Sequence, residues 1–187
     1  MISWNDLNES CLKCERCPLH TTRKNVVVGR GNVNAPVLFV GEGPGKEEDE
    51  QGNPFVGKAG ILFDHLLNAI PFKPYEYYIT NIVKCRPPEN RDPLDMEAEQ
   101  CLPYLRMQFK LIRPKIIICL GRISAKYIID PAIRITVDRG KWYEKAGIKM
   151  MAVFHPSYLL RNEKEKANTW HDFMKIRKVL DELDKNR

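Results

Sequence analysis

Four short apolar runs recur along this chain, at residues 37–40, 77–83, 115–121 and 149–154. Of these, 37–40 and 115–121 have the continuous apolar character of buried strands, and 77–83 is a strand by its β-branched and aromatic content. Helical patterns separate them: 61–70, stopped by Pro71, then 94–112, with Pro103 placed to kink it, and 124–129. Buried strands alternating with helices specify a parallel, doubly wound sheet. The expectation is an α/β fold, a single-domain doubly wound sheet whose central, mostly parallel four strands are flanked by helices. The 187 residues suffice for one such domain, taken as 1–187. Three further helical or extended segments complete the pattern: a short helix at 3–10, a basic, valine-rich strand at 23–30, and a charged helix at 165–184 with Phe173, Ile176, Leu180 and Leu183 on one face. Trp142-Tyr143 and 149–154 read as a hairpin with Ala146-Gly147 near its turn.

The run 37–40 leads straight into Gly41-Glu-Gly-Pro-Gly45, which continues to Gly52-Asn-Pro-Phe-Val-Gly57-Lys-Ala-Gly60. A long glycine-rich loop after a strand of an open α/β sheet lies where ligands bind. Four consecutive acids, Glu47 to Glu50, sit in it. A loop that only cradled phosphate would not favour them, so chemistry is expected here as well. Gly52-x4-Gly57-Lys58-Ala59 nearly matches a P-loop. Ala59 has no hydroxyl for magnesium, and the strand ends too early, which disfavours a nucleotide hydrolase.

Net charge is +6, which suggests a polyanionic partner and salt-sensitive binding to it. No apolar run approaches membrane-spanning length. The N-terminus lacks the basic and apolar regions of a signal peptide, so the expected location is the cytoplasm. Six cysteines in a reducing compartment point to metal binding or catalysis before disulfides. Cys14-x2-Cys17, with the distant Cys85 and Cys101, offers four thiolates for an iron–sulfur cluster or a zinc ion. Cys11-x2-Cys14 is an alternative pair, which leaves one thiol surplus. Cys119, inside an isoleucine run, reads as a small buried hydrophobe.

Asn81 and His155 each end a strand, and Glu42 follows one. The strand-end rule therefore places them along one sheet edge, with Phe55 in the adjoining loop. A carboxylate, an amide, an imidazole and an aromatic face suit recognition of a planar polar ring.

These residues carry a family resemblance. Cys14-x2-Cys17, Gly41-Glu-Gly-Pro-Gly45, Gly52-x-Pro-Phe-Val-Gly57, Tyr78-Ile-Thr-Asn-Ile-Val-Lys-Cys-Arg-Pro-Pro88 and His155-Pro-Ser-Tyr-Leu-Leu-Arg161 follow one another in the order of the iron–sulfur uracil-DNA glycosylases, family four of that superfamily. The chain resembles that family over nearly its whole length. The resemblance implies removal of uracil from DNA by cleavage of the N-glycosidic bond, after the nucleotide is flipped from the stack. It implies that Phe55 stacks on uracil, Asn81 pairs with its edge, and Glu48 crowds C5 against thymine. His155 and the Gly43 N–H would donate to the uracil O2, and Glu42 would orient water and stabilise the sugar cation. Leu159, Leu160 and Arg161 would enter or brace the duplex. Cys14, Cys17, Cys85 and Cys101 would hold a [4Fe-4S] cluster of structural role, tying down the N-terminal segment. Implied partners are single- or double-stranded uracil-containing DNA, with room for a sliding clamp, and the chain would act as a monomer without a membrane. Two alternatives remain: a zinc-bearing nucleic-acid-binding module without catalysis, and the P-loop-like nucleotide hydrolase that Ala59 disfavours.

Overall fold

A computed structural model, describing residues 3–185, joins the apolar runs in one sheet. In chain order the elements are α1 (Trp4–Leu12), β1 (Arg30–Gly31), β2 (Val37–Gly41), α2 (Lys46–Gln51), α3 (Lys58–Ala69), β3 (Tyr77–Asn81), α4 (Asp95–Ile112), β4 (Ile116–Leu120), α5 (Arg122–Ile128), α6 (Ile135–Asp138), β5 (Trp142–Lys145), β6 (Ile148–Val153), α7 (Pro156–Leu159) and α8 (Glu165–Lys185). The strands run in the order β1-β3-β2-β4-β6-β5. The four inner strands are parallel, as their sequence character predicts, and each edge is closed by a short antiparallel strand.

Every residue of β2 and β4 is buried. Side chains alternate across a strand, so each run feeds two cores. Leu38, Val40, Ile117, Cys119 and Ala152 meet Ala98 and Leu105 of α4 and Ala125 of α5 on one face. Val37, Phe39, Ile118 and Val153 meet Phe63 and Leu67 of α3 and Phe173, Ile176 and Leu180 of α8 on the other. Phe39 is the hub of that second layer, edge-on to Phe63 at 5.1 Å and stacked on Phe173 at 5.9 Å. α4 continues through Pro103 as one helix. The predicted hairpin is present, with Ala146 (φ 53°) and Gly147 (φ 75°) both in the left-handed region that a tight turn between twisted strands demands.

Two expectations are corrected. Residues 23–30 do not form a strand; only Arg30–Gly31 pairs, with β3. Val26 and Val27 are buried, which accounts for their apolar character, and the Val27 N–H bonds to the Lys84 carbonyl outside any ladder. Second, the glycine-rich loop contains a helix, α2, and the acids serve it. Glu47, Glu48 and Asp49 occupy its first turn, where the helix dipole favours negative charge, and Gly52 ends it at φ 73°.

Among the described residues no helix is long and apolar enough to cross a membrane.

Candidate active site

Parallel strands in register deliver their carboxyl ends to one edge. Gly41 of β2 lies opposite Asn81 of β3, and Leu120 of β4 opposite Val153 of β6. The residues that follow these ends, Glu42, Gly43 and His155, together with Asn81 and Phe55, line a cavity of about 380 Å³. That volume suits a small ring with part of its attached chain. Gly41 permits the convergence: a Cβ there would lie 2.3 Å from Asn81 Oδ1 and 2.8 Å from Phe55 Cζ.

Asn81 is 2% exposed, and its Oδ1 has no hydrogen-bond partner. A buried, unsatisfied acceptor costs about 1–3 kcal/mol, so its persistence at a cavity wall marks a place for an incoming donor.

Phe55 is buried with φ 55°, a strained value for an aromatic residue. The start of α3 holds it there, since Gly60 packs directly against the Phe55 backbone and any Cβ would overlap it. The Phe55 ring lies 5.3 Å from Phe63 and 5.9 Å from the His155 ring.

His155 caps α7. Its Nδ1 accepts the Ser157 N–H at 3.1 Å and lies 2.7 Å from the Ser157 hydroxyl. Because Nδ1 is an acceptor from a main-chain donor, the ring proton resides on Nε2. Burial pushes the imidazole pKa down to about 4, so the ring is neutral at physiological pH. The site therefore contains a neutral N–H donor rather than an imidazolium.

Glu42 behaves in the opposite sense. Burial pushes its carboxyl up to about 7; the Asp92 charge and a hydrogen bond with Asp92 push the same way, while the Arg122 guanidinium opposes them. Arg122 is itself paired with Asp92. Sequence reasoning did not select Asp92 or Arg122. Arg122 follows β4 directly, and the strand-end rule applied to all four inner strands would have found it.

The remaining predicted residues divide. Glu48 lines the cavity, yet its carboxylate is occupied by main chain: Oε2 accepts from Gly45 N–H at 3.0 Å, and Oε1 from Val56 and Gly57 N–H at 2.9 and 2.8 Å. Its carboxylate thus ties the loop together at the cavity wall. Asp49 does similar work, accepting from the Lys24 and Asn25 N–H groups. Leu159 is 3% exposed and braces α7 from the core side, so it does not reach outward; Leu160, at 44%, and Arg161 are the exposed members of that trio.

There is a second, smaller pocket. Cys14, Cys17, Cys85 and Cys101 line it, and Cys11 joins them. All six cysteines are free thiols. Arg23 Nη1 donates to Cys85 Sγ at 3.3 Å and to the Cys14 carbonyl at 2.6 Å; the Lys84 N–H donates to Cys101 Sγ at 3.3 Å. Burial pushes the thiols of Cys11 and Cys85 up to about 12 and about 11. Burial likewise pulls Lys84, which also lines this pocket, down to about 8. Cys119 stands apart in β4, wholly buried, as the sequence suggests.

Residues 28–178 match the model of the Uracil DNA glycosylase superfamily. The Type-4 uracil-DNA glycosylase of Archaeoglobus fulgidus is 41% identical over 184 residues, covering 94% of this chain and 92% of that one. The Type-4 uracil-DNA glycosylase of Thermotoga maritima is 42% identical over 183 residues, covering 96% and 90%. That of Sulfurisphaera tokodaii is 41% identical over 188 residues, covering 96% and 86%.

Proposed function

The chain belongs to the Uracil DNA glycosylase superfamily, among its type-4 enzymes, and from that membership we propose how its two pockets divide the work. The activity is hydrolysis of the bond between uracil and deoxyribose in DNA, releasing the base as a step in repair. The uracil cannot be reached inside a duplex, so the nucleotide swings out of the stack into the larger cavity. Phe55 provides the face on which the ring stacks. The orphan Asn81 Oδ1 accepts the uracil N3–H, and the amide NH2 donates to O4. Cytosine presents an acceptor at N3 and a donor at N4, so both contacts would become clashes of like polarity.

As the glycosidic bond lengthens, negative charge grows on the base and positive charge on the sugar. The His155 Nε2–H and the Gly43 N–H donate to O2, where that negative charge collects. A neutral donor fixed in place stabilises it without needing to transfer a proton. Glu42, ionised above about pH 7, faces the sugar, stabilises the developing cation and orients water for attack. Leu160 and Arg161 meet the duplex where the base has left, and the net charge of +6 serves the phosphates. The same reading takes the chain as one domain acting as a monomer in the cytoplasm.

The observation that carries this reading is the unpartnered Asn81 Oδ1 at the cavity wall. Single-turnover cleavage of oligonucleotides containing uracil or cytosine tests it. Asn81→Asp should release cytosine at a measurable rate, because a protonated or reoriented acid can pair with the N4 amino group. Undiminished preference for uracil in Asn81→Asp would remove Asn81 from base reading.

The smaller pocket fits an iron–sulfur cluster by its donor set: four cysteine sulfurs from three segments, with N–H donors aimed at two of them. Among the described residues no three His, Cys, Asp or Glu side chains converge tightly enough for a single metal ion. Cys14, Cys17, Cys85 and Cys101 would hold a [4Fe-4S] cluster. When bound, it would cross-link the N-terminal segment to α4 and to the loop after β3 and keep its ligands as thiolates. Hydrolysis of the glycosidic bond needs no electron transfer.

A further inference from the structure

We propose that Lys84 is the counter-charge of the cysteine-held cluster and, through its bond to the Asn81 carbonyl, a positioning residue for the amide that reads the base. The inference rests on the cluster assignment made above and goes beyond it by joining the two pockets.

Lys84 is 1% exposed, among the most buried side chains of the molecule. Its Nζ donates to the Asn81 carbonyl at 2.6 Å and to Thr80 Oγ1 at 2.7 Å. The Thr80 hydroxyl lies 2.8 Å from the Val28 carbonyl and 3.1 Å from Gln108 Oε1. All of these partners are neutral. The carboxylate that lines the cysteine pocket, Glu97, is already paired with Arg91, so among the described residues lining it the cysteines are what remains to supply negative charge. A buried ammonium without an opposite charge is strongly disfavoured, and neutral hydrogen bonds replace only part of its hydration. Lys84 also lines the cysteine pocket, with its own N–H on Cys101 Sγ. Thiolates carrying a cluster supply the missing negative charge at the place where the fold has buried a positive one. The other end of the interaction is the last residue of β3. Holding the Asn81 carbonyl fixes the main chain from which the amide projects, so the ammonium links the state of one pocket to the geometry of the other.

The test uses the purified, cluster-bearing enzyme and its Lys84→Met and Lys84→Arg variants, with iron content, the one-electron midpoint potential by dithionite titration, and single-turnover uracil release as readouts. Reduction adds negative charge to the cluster, and a nearby ammonium favours the reduced form. Lys84→Met at full iron content should therefore have a more negative potential than wild type, and uracil release slower by on the order of ten- to a hundred-fold. A side chain that only filled space would leave the potential where it was. An unchanged potential in Lys84→Met at full iron overturns the proposal. Failure of Lys84→Met to retain iron while Lys84→Arg retains it also supports it, since charge then decides. Loss of iron from both variants overturns it, since size and not charge is then what matters. Absence of iron from the wild-type protein would instead sink the cluster assignment itself, a result distinct from all of these.

Discussion

Replacing Glu42 with glutamine separates the two consequences of burying that carboxyl. Burial moves its pKa from an ordinary 4.5 to about 7. Each unit of such a displacement corresponds to about 1.4 kcal/mol, giving about 3 kcal/mol as an upper bound, because solvent reaches part of the side chain. The sign follows from which state keeps the proton. The folded protein holds it up to about pH 7, whereas the unfolded chain releases it near 4.5. The favourable contribution is thus complete below pH 4.5 and lost as the pH rises through 7. Glutamine cannot ionise and does not lose it. Melts of the two proteins from pH 5 to pH 8, at matched iron content, should show the variant gaining on wild type as the pH rises. For a chain of this size, about 3 kcal/mol corresponds to roughly 6–12 °C in melting temperature. Over the same range the wild-type single-turnover rate should rise with a midpoint near pH 7. The variant should be slower by on the order of a hundred- to a thousand-fold, with no such limb. A stability gap that stays constant with pH, or a wild-type rate flat between pH 6 and pH 8, would refute the reasoning.

Three other outcomes are expected. His155→Ala should slow uracil release by on the order of a hundred- to a thousand-fold. Since burial keeps the ring neutral down to about pH 4, no limb of the wild-type profile between pH 6 and pH 8 should vanish in this variant; a limb that does vanish would show a charged ring at work. Leu159→Ala and Leu160→Ala should differ in kind. The first should lose about 2–5 kcal/mol of stability, as buried leucines do; the second should leave the melt unchanged and weaken binding to uracil-containing duplex, and a reversal of that pattern in melts and binding titrations would place the wrong leucine outside. Cys85→Ala and Cys101→Ala should lose iron, while Cys11→Ala should retain it; iron analysis of the three proteins decides whether Cys11 is a ligand.

Much of the fold is legible in the sequence. Four strands announce themselves because both faces of each are buried, and a short run with hardly a polar residue suits few environments but the middle of a covered sheet. The same signal misleads at residues 23–30, where Val26 and Val27 are buried by a loop that pairs with nothing regular. Burial selects apolar side chains whether or not a ladder forms. α2 is hidden by the glycines on either side of it, although its acidic first turn and terminal Gly52 are ordinary helix signals. In the site, Glu42, Asn81 and His155 can be found because strand ends map to one edge. Asp92 and Lys84 act across space, through pairings between segments that no local pattern reveals. For Glu48 the sequence shows an acid in a binding loop but not the three N–H groups that fix its carboxylate at the cavity wall.

The His155 tautomer is set by the main-chain N–H of Ser157. A donor carried on a side chain disappears with a single codon change, but a peptide N–H is present in every residue except proline. The direction of the ring proton is therefore insulated from almost all sequence drift at position 157. The Ser157 hydroxyl can be lost and a donor to Nδ1 remains, so the chemistry of one side chain is guaranteed by the polymer and not by the identity of its neighbour.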